Sequence, residues 1–432
     1  MQTGRILVQS MLWRGLYYVS AFVINILIAR HFQASVSGGI YFIISIYSII
    51  VLVSSLSLES GIIYFAAKKQ IPVSKLFSFS IAWSLFTGII VFFVASYFAG
   101  NVHTQVNGKF LIASAVSFIC GNLLITYCSG FFYAANNFIV PNVIFLVSSC
   151  FLIISIPYHG HSLIPGIDNE NYFYFYMYSF LVQGICLALF AKVKYIEKGF
   201  RYFLSINEFR LLFNYCFMAF AGNIIHLLLY RIDYFFVEKY CDPVQLGNYI
   251  QVSKLVNLFF ILPTILASVV FPITASGQKT DIVKLLTVLS RCIFTGYLFI
   301  CIILAFTGKF FFPYLFGDSF SQMYDPFLLL IPGILALSGI FTITAYFAGK
   351  NRIRHNITGS ILALIVILAG DIIFIPRYGI NAAALVSSAG YLVYQVYVLI
   401  IINKEFNSKL SDFFVFRFSD IKNIRDYFFA RV

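Results

Sequence analysis

Long apolar runs of membrane-spanning length, separated by short polar stretches, constrain this chain more than any other feature. Residues 40–54 and 361–370, for example, are almost continuously apolar. A hydrocarbon core is crossed by about 20 residues of helix, and in lipid only helices or closed barrels satisfy their own backbone. Barrel strands alternate polar and apolar over about ten residues, which these runs do not. The reading is an all-α integral membrane protein. Composition agrees: 61% of residues are hydrophobic and 10% charged, with a mean hydropathy of +0.91. The 432 residues would otherwise fill two or three soluble domains. No soluble fold hides so much apolar surface.

Runs bounded by charges, Gly, Pro and Asn predict about twelve transmembrane helices. They lie near 10–31, 39–66, 76–99, 109–134, 140–157, 171–192, 210–237, 246–273, 287–307, 325–348, 356–375 and 380–402. The first begins near Met11 at spanning length and is expected to stay as a helix rather than a cleaved leader. With the N-terminus placed in the cytoplasm, twenty-two of the twenty-nine Lys and Arg fall on the cytoplasmic side. The outer half keeps Arg30, Lys109, Arg231, Lys239, Lys254, Lys309 and Arg377. That asymmetry predicts both termini in the cytoplasm. The net charge of +13 therefore reports topology, and no nucleic-acid partner is expected. The eight Cys lack CxxC spacing and mostly sit in apolar runs, so they read as small buried hydrophobes. No metal or cofactor is expected. The tail 404–432 mixes Phe with basic and acidic residues and reads as an interfacial amphipathic helix.

Self-similarity at a rising offset marks an internal repeat. Residues 29–32 with Gly39-Ile40-Tyr41 match 237–240 with Gly247-Asn248-Tyr249. Ala134, Asn137, Ile139 and Asn142 match Ala348, Asn351, Ile353 and Asn356, and residues 156–160 match 375–379. Helices one, four and five are thereby paired with seven, ten and eleven. Two parallel six-helix bundles follow, at 1–200 and 201–403, with a central cleft between them. Residues 404–432 form the basic tail.

The same segments carry a family likeness. They include Arg231-Ile232-Asp233, Leu246-Gly247-Asn248-Tyr249, Phe271-Pro272, Phe316-Gly317-Asp318, Ile331-Pro332-Gly333, residues 375–379 and Ala382-Ala383-Ala384. The chain resembles the polysaccharide-export branch of the multidrug/oligosaccharidyl-lipid/polysaccharide (MOP) exporter superfamily, typified by bacterial O-antigen flippases. The likeness spans nearly the whole chain and is strongest from about 215 to 400. It departs at Asp371, where relatives commonly carry Asn. The resemblance implies a MATE-like pair of bundles in the bacterial inner membrane. It further implies translocation of an undecaprenyl-pyrophosphate-linked oligosaccharide to the outer leaflet by alternating access. A proton or sodium gradient would drive the step, beside a polysaccharide polymerase and a chain-length regulator.

Charges inside a membrane are functional candidates by default. Arg231, Lys254, Arg30 and Arg14 are candidate cleft cations for the pyrophosphate. Each has a plainer reading: Arg231 pairs with Asp233 or Asp242, Lys254 snorkels, Arg30 anchors at the interface, and Arg14 marks the cytoplasmic boundary. Asn223, His226, Tyr230 and Asp233 are spaced 3, 4 and 3 apart and share one helical face. His226 sits mid-span, where it is a proton carrier or a neutral core histidine. Glu59 continues a stripe from Ser45, Ser48 and Ser55, or else reaches the cytoplasmic interface. Asp371 is a coupling carboxylate, or pairs locally with Arg377.

Two other functions compete. A drug/cation antiporter of the same superfamily would want more intramembrane carboxylates than Glu59, Asp233 and Asp371. A membrane polymerase, ligase or glycosyltransferase would want a catalytic loop, and the longest outer connection, 158–170, is too short for one. No DxD pair, zinc-ligand cluster or Ser/His/Asp constellation with loop context is present, and the His159/His161 pair is a weak metal signal. The chain is therefore expected not to be an enzyme.

Overall fold

The computed structural model describes residues 2–101, 108–135, 137–156, 171–196, 203–275, 282–406 and 410–420. Among these, every regular element is helical. In order they are α1 (Gln2–Ser55), α2 (Leu58–Ala67), α3 (Val73–Asn101), α4 (Gly108–Ala134), α5 (Ile139–Ser155) and α6 (Tyr172–Tyr195). There follow α7 (Ile206–Tyr240), α8 (Pro243–Phe259), α9 (Ile261–Ala275), α10 (Ile282–Phe316), α11 (Tyr324–Gly349) and α12 (Ile353–Phe406). Short 3₁₀ turns cover Asp318–Met323 and Leu410–Phe413. Nine helices among the described residues are long and apolar enough to cross a membrane. The protein is a multi-pass membrane protein.

Four places differ from the helix limits read off the sequence. The connections expected after spans one and eleven shrink to single non-helical residues inside α1 and α12. These are Gln33 (φ 61°, ψ 177°) and Gly379 (φ 59°, ψ −142°). The expected span 39–66 breaks after Ser55, where Leu56 and Ser57 adopt left-handed φ of 48° and 54°. The expected span 246–273 breaks at Phe260. Carbonyls freed at membrane depth must find donors, and aromatic side chains supply them. Trp83 Nε1 donates to the Ser54 carbonyl at 2.7 Å and the Tyr127 hydroxyl to that of Ser55 at 3.2 Å. The Tyr297 hydroxyl donates to the Phe259 carbonyl. The break at Phe260 follows from Pro263, which has no amide to give the Phe259 carbonyl four residues back, whereas the one at Leu56–Ser57 carries no Pro or Gly and its apolar run reads straight through.

The chain divides into two compact units, one of Met1–His31 with Ile43–Ile224, the other of Phe32–Phe42 with Ile225–Val432. The boundary expected at residue 200 lies outside the described residues. In unit 1, Leu58, Ile62, Phe65, Ile119, Leu123, Tyr127 and Met177 form the core. Gly121 and Gly184 bring α4 and α6 into backbone contact, where a Cβ on Gly121 would meet the Phe180–Leu181 peptide within 2.6 Å. Lys75 pairs with Glu208 at 2.9 Å.

In unit 2, Asp242 caps α8 by accepting from the Val244 and Gln245 amides at 2.9 Å, with Pro243 opening the helix. Gly247 lies directly against Ala34, and Gly38 against Gly247. α12 folds back on itself at Gly379. Its two limbs meet at glycines: Gly370 against Val386, Gly390 against Ile367 and Gly359 against Tyr394. Of the expected amphipathic tail, residues 410–420 are described, and a helical turn opens at 419–420. Before it lies a 3₁₀ turn, Leu410–Phe413, and the segment is held because Arg291 on α10 makes a two-toothed ion pair with Asp420 (2.9 and 2.6 Å). Both side chains are buried, and Arg291 also donates to the Asp412 carbonyl at 3.0 Å. Residues 421–432 lie outside the described part.

Candidate functional site

Unit 2 gathers most of the intramembrane charge. Asp233 on α7 is buried and its Oδ1 accepts from the amide of Tyr234 at 2.9 Å. Its Oδ2 accepts from the Tyr249 hydroxyl on α8 and from Ser387 Oγ on the second limb of α12 at 3.2 Å. Asp371, on the first limb of α12, is fully buried and interacts electrostatically with Asp233. Neither of its carboxylate oxygens has a hydrogen-bond partner. The expected local pair with Arg377 does not form: six residues put Arg377 about 240° around the helix, and it is exposed. A buried carboxyl with bare oxygens near a second carboxyl is costly as an unpaired charge.

The cations stand on the same two helices as Asp233 and Tyr249. Arg231 on α7 and Lys254 on α8 are close enough to repel one another. The Lys254 ammonium lies over the ring of Tyr41, an arrangement that offsets part of the desolvation of the charge. The alternative pairing of Arg231 with Asp233 or Asp242 is not made. Asp233 points about 200° away around α7, and Asp242 is engaged as the α8 cap. Further along α7, the His226 ring packs edge-on against Tyr230 at 4.6 Å, and Tyr230 lies 5.6 Å from Tyr391.

Unit 1 holds the other candidates. Glu59 sits in the first turn of α2, just past the Leu56–Ser57 break, where the helix N-terminus favours a carboxylate. Its Oε2 is buried without a partner. Ser55, Ser57 and Asn223 frame the break: the Ser57 amide donates to Ser55 Oγ at 3.1 Å, and Asn223 Nδ2 to Ser57 Oγ at 3.0 Å. Ser55, the last serine of the expected stripe, hydrogen-bonds the Glu59 side chain across the break. Arg30 is exposed on α1, and the side chain of Arg14 lies outside the described residues. His159 and His161 do too.

The structure thus brings Asp233 together with Asp371, Arg231 with Lys254, and His226 with Tyr230. Glu59 and Asn223 belong to the separate break in unit 1. Tyr41, Tyr249, Ser387 and Tyr391 escaped the sequence reading as site residues. A signal existed for two of them: Tyr41 and Tyr249 are the tyrosines of the repeated Gly-x-Tyr motif.

This architecture is the fold of MOP superfamily transporters. The lipid II flippase MurJ, in an inward closed conformation, is similar with a TM-score of 0.70 at 15% identity, over 96% of this chain and 95% of that one. An outward-facing multidrug resistance MATE family transporter matches with a TM-score of 0.65 at 13% identity, over 93% and 95%. A MOP superfamily transporter from Pyrococcus furiosus matches at 0.63 and 13%, over 93% and 94%. At such identities it is the fold that is shared. Residues 167–325 match the family model described as polysaccharide biosynthesis protein. None of the curated proteins matches the chain. The family model and the fold together bear out the resemblance to the polysaccharide exporters.

Proposed function

We propose that the protein is a flippase of the bacterial cytoplasmic membrane that moves an undecaprenyl-pyrophosphate-linked oligosaccharide, an O-antigen or capsule repeat unit, to the outer leaflet by alternating access. The observation that carries this is the polysaccharide biosynthesis match over residues 167–325, a stretch that holds Arg231 on α7 and Lys254 on α8, both within membrane-spanning helices. A pyrophosphate accepts charge-assisted hydrogen bonds from such cations. The fold shared with a lipid II flippase supports the same substrate class.

The buried carboxyls Asp233 and Asp371 are then the coupling site for a proton or sodium ion. Tyr249 and Ser387 hold Asp233 in place, so Asp371 is the carboxyl whose bare oxygens would take the ion. Ion entry and substrate release are linked because α7 and α8 carry both Asp233 with Tyr249 and the two cations. A polysaccharide polymerase and a chain-length regulator are the partners expected downstream.

A strain lacking the gene tests the reading. Lipid-linked repeat units should accumulate on the cytoplasmic leaflet and be cleared by the wild-type chain. Arg231→Ala and Lys254→Ala should each lower clearance at least about tenfold at equal protein level, the loss of one charge-assisted contact. Full clearance by both variants would remove the cations from the mechanism. Normal leaflet distribution with failed polymerisation would point to an enzyme instead.

A further inference from the structure

We propose that Tyr215, backed by Tyr64 and flanked by Lys68, is a stacking platform for a pyranose ring of the substrate's glycan at the basic end of unit 1. This rests on the flippase reading above and adds to it a subsite for the sugar, where the cations address only the phosphates.

Gly61 on α2 leaves no room for a side chain, since a Cβ there would come within 2.6 Å of Leu212 and of Cys216 Sγ. The close approach of α2 to α7 sets the Tyr64 and Tyr215 rings parallel, with centroids 4.5 Å apart and planes 22° from coplanar. Phe65 meets both rings edge-on, at 5.0 Å from Tyr64 and 5.7 Å from Tyr215. Tyr64 is fixed a third time, because Lys68 Nζ donates to its hydroxyl at 2.6 Å and lies 4.4 Å from its ring centre. One face of Tyr215 is thus packed on Tyr64, while the side chain as a whole is 40% exposed. A flat, immobilised ring presented in this way loses little entropy on binding.

The exposed face of Tyr215 looks toward water rather than lipid. At 100° per residue, Tyr215, Asn223 and His226 fall within roughly 80° on α7. Asn223 and His226 are themselves exposed, and polar side chains turned into hydrocarbon would be costly. The same arc is therefore a wetted one. Lys68 is exposed beside it and, with three donors, has two left after Tyr64. An apolar ring face for the sugar's C–H groups with an ammonium at its edge for the hydroxyls is the chemistry that recognises a pyranose. An apolar partner would gain nothing from Lys68, and a bare phosphate nothing from Tyr215.

The test compares two probes on the full chain in lipid nanodiscs, undecaprenyl pyrophosphate and the same lipid carrying a repeat unit of about five sugars, with binding read by native mass spectrometry; a single sugar could not cover the 16 residues of α7, about 24 Å at 1.5 Å per residue, between Arg231 and Tyr215. Wild type should prefer the glycosylated lipid by about fivefold, the stacking contribution of one aromatic. Tyr215→Ala should abolish that preference and keep the affinity for undecaprenyl pyrophosphate. Tyr215→Phe should retain the preference, because stacking needs the ring and not the hydroxyl, and Lys68→Met should reduce it. A preference untouched by Tyr215→Ala, or an equal loss for both lipids, would overturn the platform, the latter marking Tyr215 as a packing or interface residue. Binding of both lipids by wild type without preference overturns the platform alone. Binding of neither lipid overturns the flippase reading, and the platform with it.

Discussion

The two units break the corresponding helix of each half and then use the break differently. In unit 1 the second span gives way at Leu56–Ser57, and in unit 2 the eighth gives way at Phe260. Aromatic donors take up freed carbonyls in both, Trp83 and Tyr127 in the first and Tyr297 in the second. Around this common device the charges diverge. Unit 1 places one carboxylate, Glu59, beside the break, with Asn223 and Ser57 as neutral company. Unit 2 draws Asp233, Asp371, Arg231 and Lys254 together from α7, α8 and α12. Each unit thus holds one irregular helix of the pair that the expected repeat matches, while among the described residues the intramembrane charges gather in unit 2. The lesson is that matched architecture need not carry matched chemistry.

The ion pairs sharpen this contrast and carry the largest expected effect. In unit 2, Arg291 and Asp420 are almost wholly buried, with side-chain exposures of 5% and 0%. In unit 1 the pair Lys75–Glu208 retains 18% and 22%. Removing one partner of a buried pair strands the other charge, at about 3–5 kcal/mol. A half-wet pair contributes about 1 kcal/mol or less. Asp420→Ala should therefore lower the detergent-solubilised unfolding temperature sharply, and Glu208→Gln only slightly. The double variant Arg291→Met with Asp420→Leu should regain most of the loss, because two apolar side chains need no partners. Equal shifts for Asp420→Ala and Glu208→Gln would show that the tail is not held as the geometry has it.

The carboxylates test the functional half of the comparison. If coupling resides in unit 2, Asp371→Asn should uncouple translocation from the ion gradient, with transport falling about tenfold and no longer responding to an ionophore. Glu59→Gln should keep the ionophore response even if the rate drops, since Glu59 lies at a helix N-terminus and, among the described residues, has no second carboxyl acting on it. The measurement is lipid-linked glycan clearance in inverted vesicles with and without a proton or sodium ionophore. A response lost in Glu59→Gln and kept in Asp371→Asn would move coupling to unit 1.

Much of this was legible beforehand, for identifiable reasons. The spans were readable because lipid leaves a run of apolar residues few conformations. Asp233, Asp371, Arg231 and Lys254 stood out because charge is scarce in such runs. Their partnerships were not readable. Nearness in sequence offers Arg377 as the plainer of two readings for Asp371, yet six residues of helix turn the two apart, and Ser387 reaches Asp233 only because α12 doubles back at Gly379. The break at Leu56–Ser57 carries no Pro or Gly to announce it, whereas Pro263 marks the one at Phe260. The donors that serve the two breaks, Trp83, Tyr127 and Tyr297, lie 29 to 72 residues from the carbonyls they meet and look like ordinary membrane aromatics. The anchoring of the tail is not readable either, because Asp420 reads as one more polar residue of an amphipathic segment until Arg291 is seen opposite it.

The breaks themselves give the smallest effect and the closest comparison. Trp83→Phe deletes the donor to Ser54, and Tyr297→Phe the donor to Phe259, each while keeping an aromatic ring. Hydrogen bonds between membrane helices are worth about 0.6 kcal/mol on average and under about 2 at most. Each variant should therefore lower the unfolding temperature only slightly. The break in unit 1 has Tyr127 as a second donor, so it should lose less than the break in unit 2, where Tyr297 acts on Phe259 without a comparable neighbour among the described residues. The ordering is measurable by hydrogen exchange at residues 56–60 and 260–264 in the two variants. A larger loss of protection in Trp83→Phe than in Tyr297→Phe would mean that Tyr127 does not back up the first break, and that the two units brace their broken helices by different means.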